Sequence, residues 1–140
     1  MKFSHKELTI QQQMENWLIS AIKEFKLNNN VKTHDRCEMR FEGITLLMRC
    51  QTNHIDELCL VIAAVRLEKP LQSQGWLKSF LSYCIEINPW KLLVIEDVDN
   101  LRLREFCKKS GFKPVSDFFS TSFIIDPDFI KSLQVHEFCS

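Results

Sequence analysis

Eight consecutive apolar residues, Leu58-Cys59-Leu60-Val61-Ile62-Ala63-Ala64-Val65, constrain this chain more than any other feature. A half-buried strand needs only every second residue to be apolar, so an unbroken run reads as a strand covered on both faces. A polar loop follows and closes on Gln72-Ser73-Gln74-Gly75. Trp76, Leu77, Phe80, Leu81, Cys84 and Ile85 then recur at helical spacing. Asn88-Pro89 stops that helix, because the residue before a proline leaves helical space. A second apolar run, Leu92-Leu93-Val94-Ile95, comes next. Strand, glycine-ended loop, helix and strand make a right-handed crossover between two parallel strands. Where the loop meets the helix, free backbone N–H groups and the positive helix end coincide, which suits a phosphate or pyrophosphate.

The flanking segments supply the rest of a sheet. Ile10, Met14, Trp17, Leu18, Ala21, Ile22 and Phe25 form one face of a first helix, with Thr9 and Gln12 as a capping box and Asn28-Asn29-Asn30 as its end. Cys37, Met39 and Phe41 alternate with Glu38, Arg40 and Glu42, Gly43 supplies a turn, and Ile44, Leu46, Met48 and Cys50 alternate again. With the buried strand over residues 58–67, these make an antiparallel meander. Asp99 or Asn100 caps a short helix that faces inward through Leu103, Phe106 and Cys107, and Gly111 ends it. Residues 118–125 are β-rich, and Asp126-Pro127 marks a last helix start. The expected fold is one α/β domain over residues 1–140 with an α+β mixed sheet: a meander, then a βαβ crossover whose parallel central strands splay.

A chain of 140 residues can bury a sizeable core, and 45% hydrophobic residues fit a globular protein. Lys+Arg and Asp+Glu balance at 18 each, which leaves no basic footprint and argues against nucleic-acid partners. The six cysteines carry no C-x-x-C, so they read as reduced thiols of a cytoplasmic protein rather than as a zinc site. The longest apolar run falls far short of the roughly 20 residues that cross a bilayer, and no membrane partner is expected.

The loop Gln72-Ser73-Gln74-Gly75-Trp76-Leu77, followed by Asn100 and then Gly111-Phe112 one helix later, resembles two motifs of the GNAT superfamily of N-acetyltransferases. The first is R/Q-x-x-G-x-G/A, of which the first and fourth positions match while Leu77 replaces the small sixth residue. The second is Asn, a helix carrying a Tyr, then Gly-Phe, with Cys107 at the usual Tyr position. The resemblance implies a GNAT-like fold with acetyl-coenzyme A as cofactor. It implies that Leu67 binds the pantetheine arm and that Gln72, Ser73, Gln74, Gly75, Trp76 and Leu77 bind the pyrophosphate, with Asn100 completing the motif. It also implies a proton-donor role at Cys107. The family's usual first strand has no counterpart before Thr9, and its last hairpin is expected here as one strand followed by a short helix.

Acetyl transfer from a thioester to an amine needs a neutral amine, an oxyanion stabiliser and a proton for the departing thiolate. The central strand carries no carboxylate, so Glu96 and Asp97 at the end of the next strand are the candidate general bases. The expected activity is acetylation of a small-molecule or peptide amine. The alternative is a GNAT-fold protein without catalysis that serves as a binding or regulatory module, which Leu77 and Cys107 favour. A nucleotide-binding regulatory domain lacks the Walker-type lysine it needs. Trp76, Trp90 and Phe118-Phe119 are either cleft-lining or packing residues. An aromatic-rich final strand left at the sheet edge would invite pairing into a homodimer.

Overall fold

A computed structural model describes residues 8–52, 58–72, 75–96, 101–115, 122–126 and 128. Helix α1 (Ile10–Asn28) starts at Thr9, whose hydroxyl accepts from the Gln12 N–H while the Gln12 side chain accepts from the Thr9 N–H. Two otherwise orphaned donors are thereby satisfied. It ends where Asn29 turns left-handed (φ 57°) and its N–H reaches the Phe25 carbonyl. Its apolar stripe of Ile10, Met14, Trp17, Leu18 and Ala21 is buried against the sheet.

Strands β1 (Arg36–Phe41), β2 (Ile44–Thr52) and β3 (Leu58–Leu67) form the expected antiparallel meander. A short 3-10 turn (Lys69–Leu71) leads to helix α2 (Trp76–Ile87) and on to β4 (Leu92–Ile95). β4 pairs with β3 in parallel, as the crossover requires. Leu60, Ile62, Leu93 and Ile95 share the core with Met48 and Cys50 from β2 and with Phe80, Leu81 and Cys84 from α2.

Helix α3 (Leu101–Lys109) is followed by two short strands, β5 (Lys113–Pro114) and β6 (Phe123–Ile124). The strand order is β1-β2-β3-β4-β6-β5. Here the structure departs from the sequence expectation in two ways. A short strand that the sequence pattern did not announce, β5, pairs antiparallel with β6. Two residues, one of them Pro114, carry no alternation to read, and a proline is tolerated at an edge. β6 also lies between β4 and β5, so the edge position that motivated homodimer pairing belongs to β5. The segment before Leu8, Phe118-Phe119 and the final helix expected from Pro127 onward lie outside the described residues. Asp126 does accept the Asp128 N–H at 2.9 Å, as a helix cap does.

Candidate active site

The two central strands stay together for only four residues. Cys59 to Ile62 pair with Leu92 to Ile95, and the Glu96 N–H makes a last bond to the Ile62 carbonyl at 3.0 Å. β3 then runs on through residues 63–67, which have no strand partner on the β4 side among the described residues. The cause is visible in the register with β2. Met48 faces Ile62, but Leu47 faces Ala64, so Ala63 is an extra residue. Such a bulge bends its strand and increases its twist, which re-aims the backbone beyond it. The bulge and the split coincide. A wedge-shaped opening results, with a free strand edge along one wall.

The 3-10 turn carries the chain from that wall to α2. Leu67, Gln72, Gly75, Trp76 and Leu77 are all brought to this end of the sheet, while Ser73 and Gln74 lie outside the described residues. The Gln72 side-chain amide donates to the Leu67 carbonyl at 2.9 Å, tying the loop back to the end of β3. Gly75 caps α2 with φ 72°, a left-handed conformation that glycine alone adopts without strain. The capping residue is a glycine and brings no side chain to the helix end. A Cβ built on Gly75 would meet no described residue within 4 Å, so the approach to the helix end is open among the described residues. A glycine-led helix start with an open approach is suited to a phosphate group. Leu77 and Trp76 turn towards the core, and Trp76 stacks on Phe80 with ring centroids 4.8 Å apart. Leu77 therefore occupies packing space rather than blocking the helix end.

Glu96 stands where the strands part. Its Oε1 accepts from Arg49 Nη1 at 2.7 Å, and Arg49 Nη2 donates to Gln51 Oε1 at 2.8 Å. Arg49 faces Val61 and Val61 faces Val94, so the arginine reaches across β3 to the far wall of the split. Nothing in the sequence pattern singled out Arg49, because its role arises only when the register aligns β2 with the end of β4. Asp97 and Asn100 lie outside the described residues.

Cys107 is fully buried in the core, and burial pushes its thiol up to about 11. It stays protonated at neutral pH but has no open path to solvent. Trp90 lies elsewhere. It precedes β4, packs edge-on against Phe25, and donates Nε1–H to Cys50 Sγ at 3.2 Å. A cavity of about 390 Å³ opens beside it, lined by Trp90, Leu92, Gly111, Lys113 and Asp126 among others. That cavity belongs to the beginning of β4, whereas the split lies at its end.

No protein-family model matches this chain. No curated protein matches it either. Among solved structures, AtaTR bound with acetyl-coenzyme A aligns at TM-score 0.55 and 15% identity, over 80% of this chain and 82% of that one. The fold is that of the GNAT superfamily. The AtaT-AtaR complex bound to DNA shares this GNAT fold at TM-score 0.52 and 11% identity, over 79% of this chain and 76% of that one. A point mutant of the AtaT toxin, bound to the C-terminus of the antitoxin AtaR and acetyl-coenzyme A, matches at TM-score 0.47 and 18% identity. There the chain spans 63% of that toxin's length.

The GNAT fold thus occurs in a complex that holds nucleic acid, and the expectation of no nucleic-acid partner is corrected. Net charge is a sum over the whole chain, and a zero sum does not describe the local surface that a polyanion or its carrier protein meets. Among the described residues, no helix is long and apolar enough to cross a membrane.

Proposed function

We propose that this chain is an acetyl-coenzyme A-dependent N-acetyltransferase acting on an amine, working as one domain over residues 1–140. The observation that carries this is the meeting of two features at one end of β3. A bulge-driven split leaves residues 63–67 of β3 without a described strand partner on the β4 side, and a glycine-led helix start lies beside it. Leu67 and the free edge of β3 would hold the pantetheine arm. The α2 amides around Gly75 would hold the pyrophosphate, with Gln72, Ser73, Gln74, Trp76, Leu77 and Asn100 completing the binding segment. When bound, the cofactor supplies an activated acetyl thioester. The protein's own contribution is orientation within a narrow opening, which alone removes a large part of the barrier in a two-substrate reaction.

Glu96 is the general base in this proposal, since it is the described carboxylate at the parting of the strands. Cys107 remains a candidate for delivering the last proton. Its burial favours a packing role, in which case the proton comes from solvent. The five described free cysteines support a cytoplasmic setting.

A thermal shift with acetyl-coenzyme A tests the cofactor. At about 100 times its Kd, a ligand adds roughly 2.7 kcal/mol of stability. No shift at millimolar ligand contradicts the proposal. A shift without turnover of any amine supports a second function, a GNAT-fold binding module, which buried Cys107 and core-facing Leu77 favour.

A further inference from the structure

Arg49 makes an ion pair that an ordinary surface strand does not need. In the β1–β2 register it lies directly opposite Arg36, a like-charge pairing that is unfavourable in a sheet. Arg36 finds Asp35 at 3.7 Å, and Arg49 turns away across β3 to Glu96. The pair is largely shielded, with side-chain exposures of 34% for Arg49 and 17% for Glu96. Gln51 holds the second guanidinium nitrogen, so the arginine is fixed at two points. Glu96 uses one oxygen, Oε1, in the pair, and Oε2 receives no hydrogen bond from any described residue.

We propose that Arg49, steadied by Gln51, is a positioning residue that fixes Glu96 at the parting of β3 and β4, leaving Oε2 to take the acceptor's ammonium. The acceptor class is thus an alkyl ammonium rather than an uncharged arylamine. This rests on the acetyltransferase function proposed above and names its acceptor. A carboxylate with one oxygen tethered and one open to the acceptor recognises a cation directionally, and it gains less from a neutral amine, which offers an N–H donor without the charge. The tether also prevents the carboxylate from swinging towards solvent when the cation arrives.

The proton accounting is simple. The ammonium loses one proton through Glu96 to solvent and becomes a nucleophilic amine. The N–C bond forms, the C–S bond breaks with its electron pair on sulfur, and the nitrogen's second proton ends on the thiolate. Acetyl thioester plus ammonium thus gives amide, thiol and one released proton.

The test uses the full chain with acetyl-coenzyme A, n-butylamine and aniline, and measures thiol release. We expect n-butylamine to be acetylated in preference to aniline. Glu96→Gln should lose about 100-fold of the n-butylamine rate, the lower range for a general base. Arg49→Met should lower kcat/KM for n-butylamine by about tenfold or more while leaving the KM for acetyl-coenzyme A unchanged, because the tether that aims Glu96 is gone. Arg49→Lys should restore part of that rate. Melting temperatures without ligand identify any variant that fails to fold, and Arg49→Gln then replaces Arg49→Met.

Three results overturn the proposal, and they are distinguishable. A wild-type protein that shows no thermal shift with acetyl-coenzyme A removes the cofactor site and this proposal together. A normal shift with n-butylamine unreacted, or reacting no better than aniline, removes the acceptor class alone. A folded Arg49→Met protein that keeps the wild-type kcat/KM for n-butylamine, or whose loss comes with an equally raised KM for acetyl-coenzyme A, makes the arginine merely structural.

Discussion

Gly75, Glu24 and Cys107 each answer a different physical question. Gly75 holds φ 72° with open space beyond its missing side chain, so strain rather than collision governs replacement. Gly75→Ala should cost about 1–2 kcal/mol in chemical denaturation, the left-handed penalty for an ordinary residue. Glu24 is a buried carboxylate on α1 that accepts from the N–H groups of Thr33 and His34 and from His34 Nδ1. Burial pulls its pKa upward, but the Thr33 and His34 hydrogen bonds together outweigh that and lower it from 4.5 to about 2. Because the folded value is depressed, its stabilisation is complete above about pH 5 and is lost as pH falls through 4.5 towards 2. Thermal melts of Glu24→Gln should therefore lie below wild type at neutral pH and converge with it near pH 2. Cys107→Ala separates packing from chemistry. A packing role costs melting temperature and leaves the rate per folded molecule unchanged, whereas a proton-donor role lowers kcat with cofactor affinity intact.

Elements with long periodic signals are legible in the sequence. The apolar run gave β3, the helical stripes gave α1 and α2, and the crossover rule gave the parallel pairing of β3 with β4. Two features were not legible. The bulge at Ala63 depends on how β2 registers against β3, and Ala63-Ala64 reads as one more step of an apolar strand. β5 and β6 are two residues each, too short to show a period, and they exist because β4 offers a partner edge. The site divides in the same way. Gly75 was visible as a motif, and Arg49 was invisible because only strand alignment gives it a function. At this scale Phe80 is the residue to test. It is fully buried and stacks on Trp76 in the first turn of α2. Phe80→Ala should cost about 3–5 kcal/mol in urea denaturation. It should also weaken cofactor binding, since Phe80 anchors the helix end that faces the ligand.

Across the whole molecule, one mixed sheet sets two unlike structures side by side. Residues 63–67 of β3 have no described strand partner on the β4 side, and α2 offers the backbone amides of a glycine-led helix start. Neither alone selects a ligand, but together they suit a long cofactor with a polar arm at one end and phosphates at the other. The corrected view of nucleic-acid partners belongs to this scale as well. A zero net charge says little about a molecule in which Arg36, Arg40, Arg49 and Arg66 are carried by three adjacent strands. The most direct measurement is calorimetric titration of acetyl-coenzyme A into wild-type protein, Gly75→Asn and Gly75→Asp. Asn and Asp have nearly the same shape, both are tolerated in the left-handed region better than other residues, and Asp at a helix start is not destabilising. They differ in charge at the point where pyrophosphate is placed. The expected result is binding by wild type, weaker binding by Gly75→Asn, and at least about tenfold further loss in Gly75→Asp, equivalent to about 1.4 kcal/mol. Equal affinity in all three proteins would contradict a cofactor seated at the start of α2.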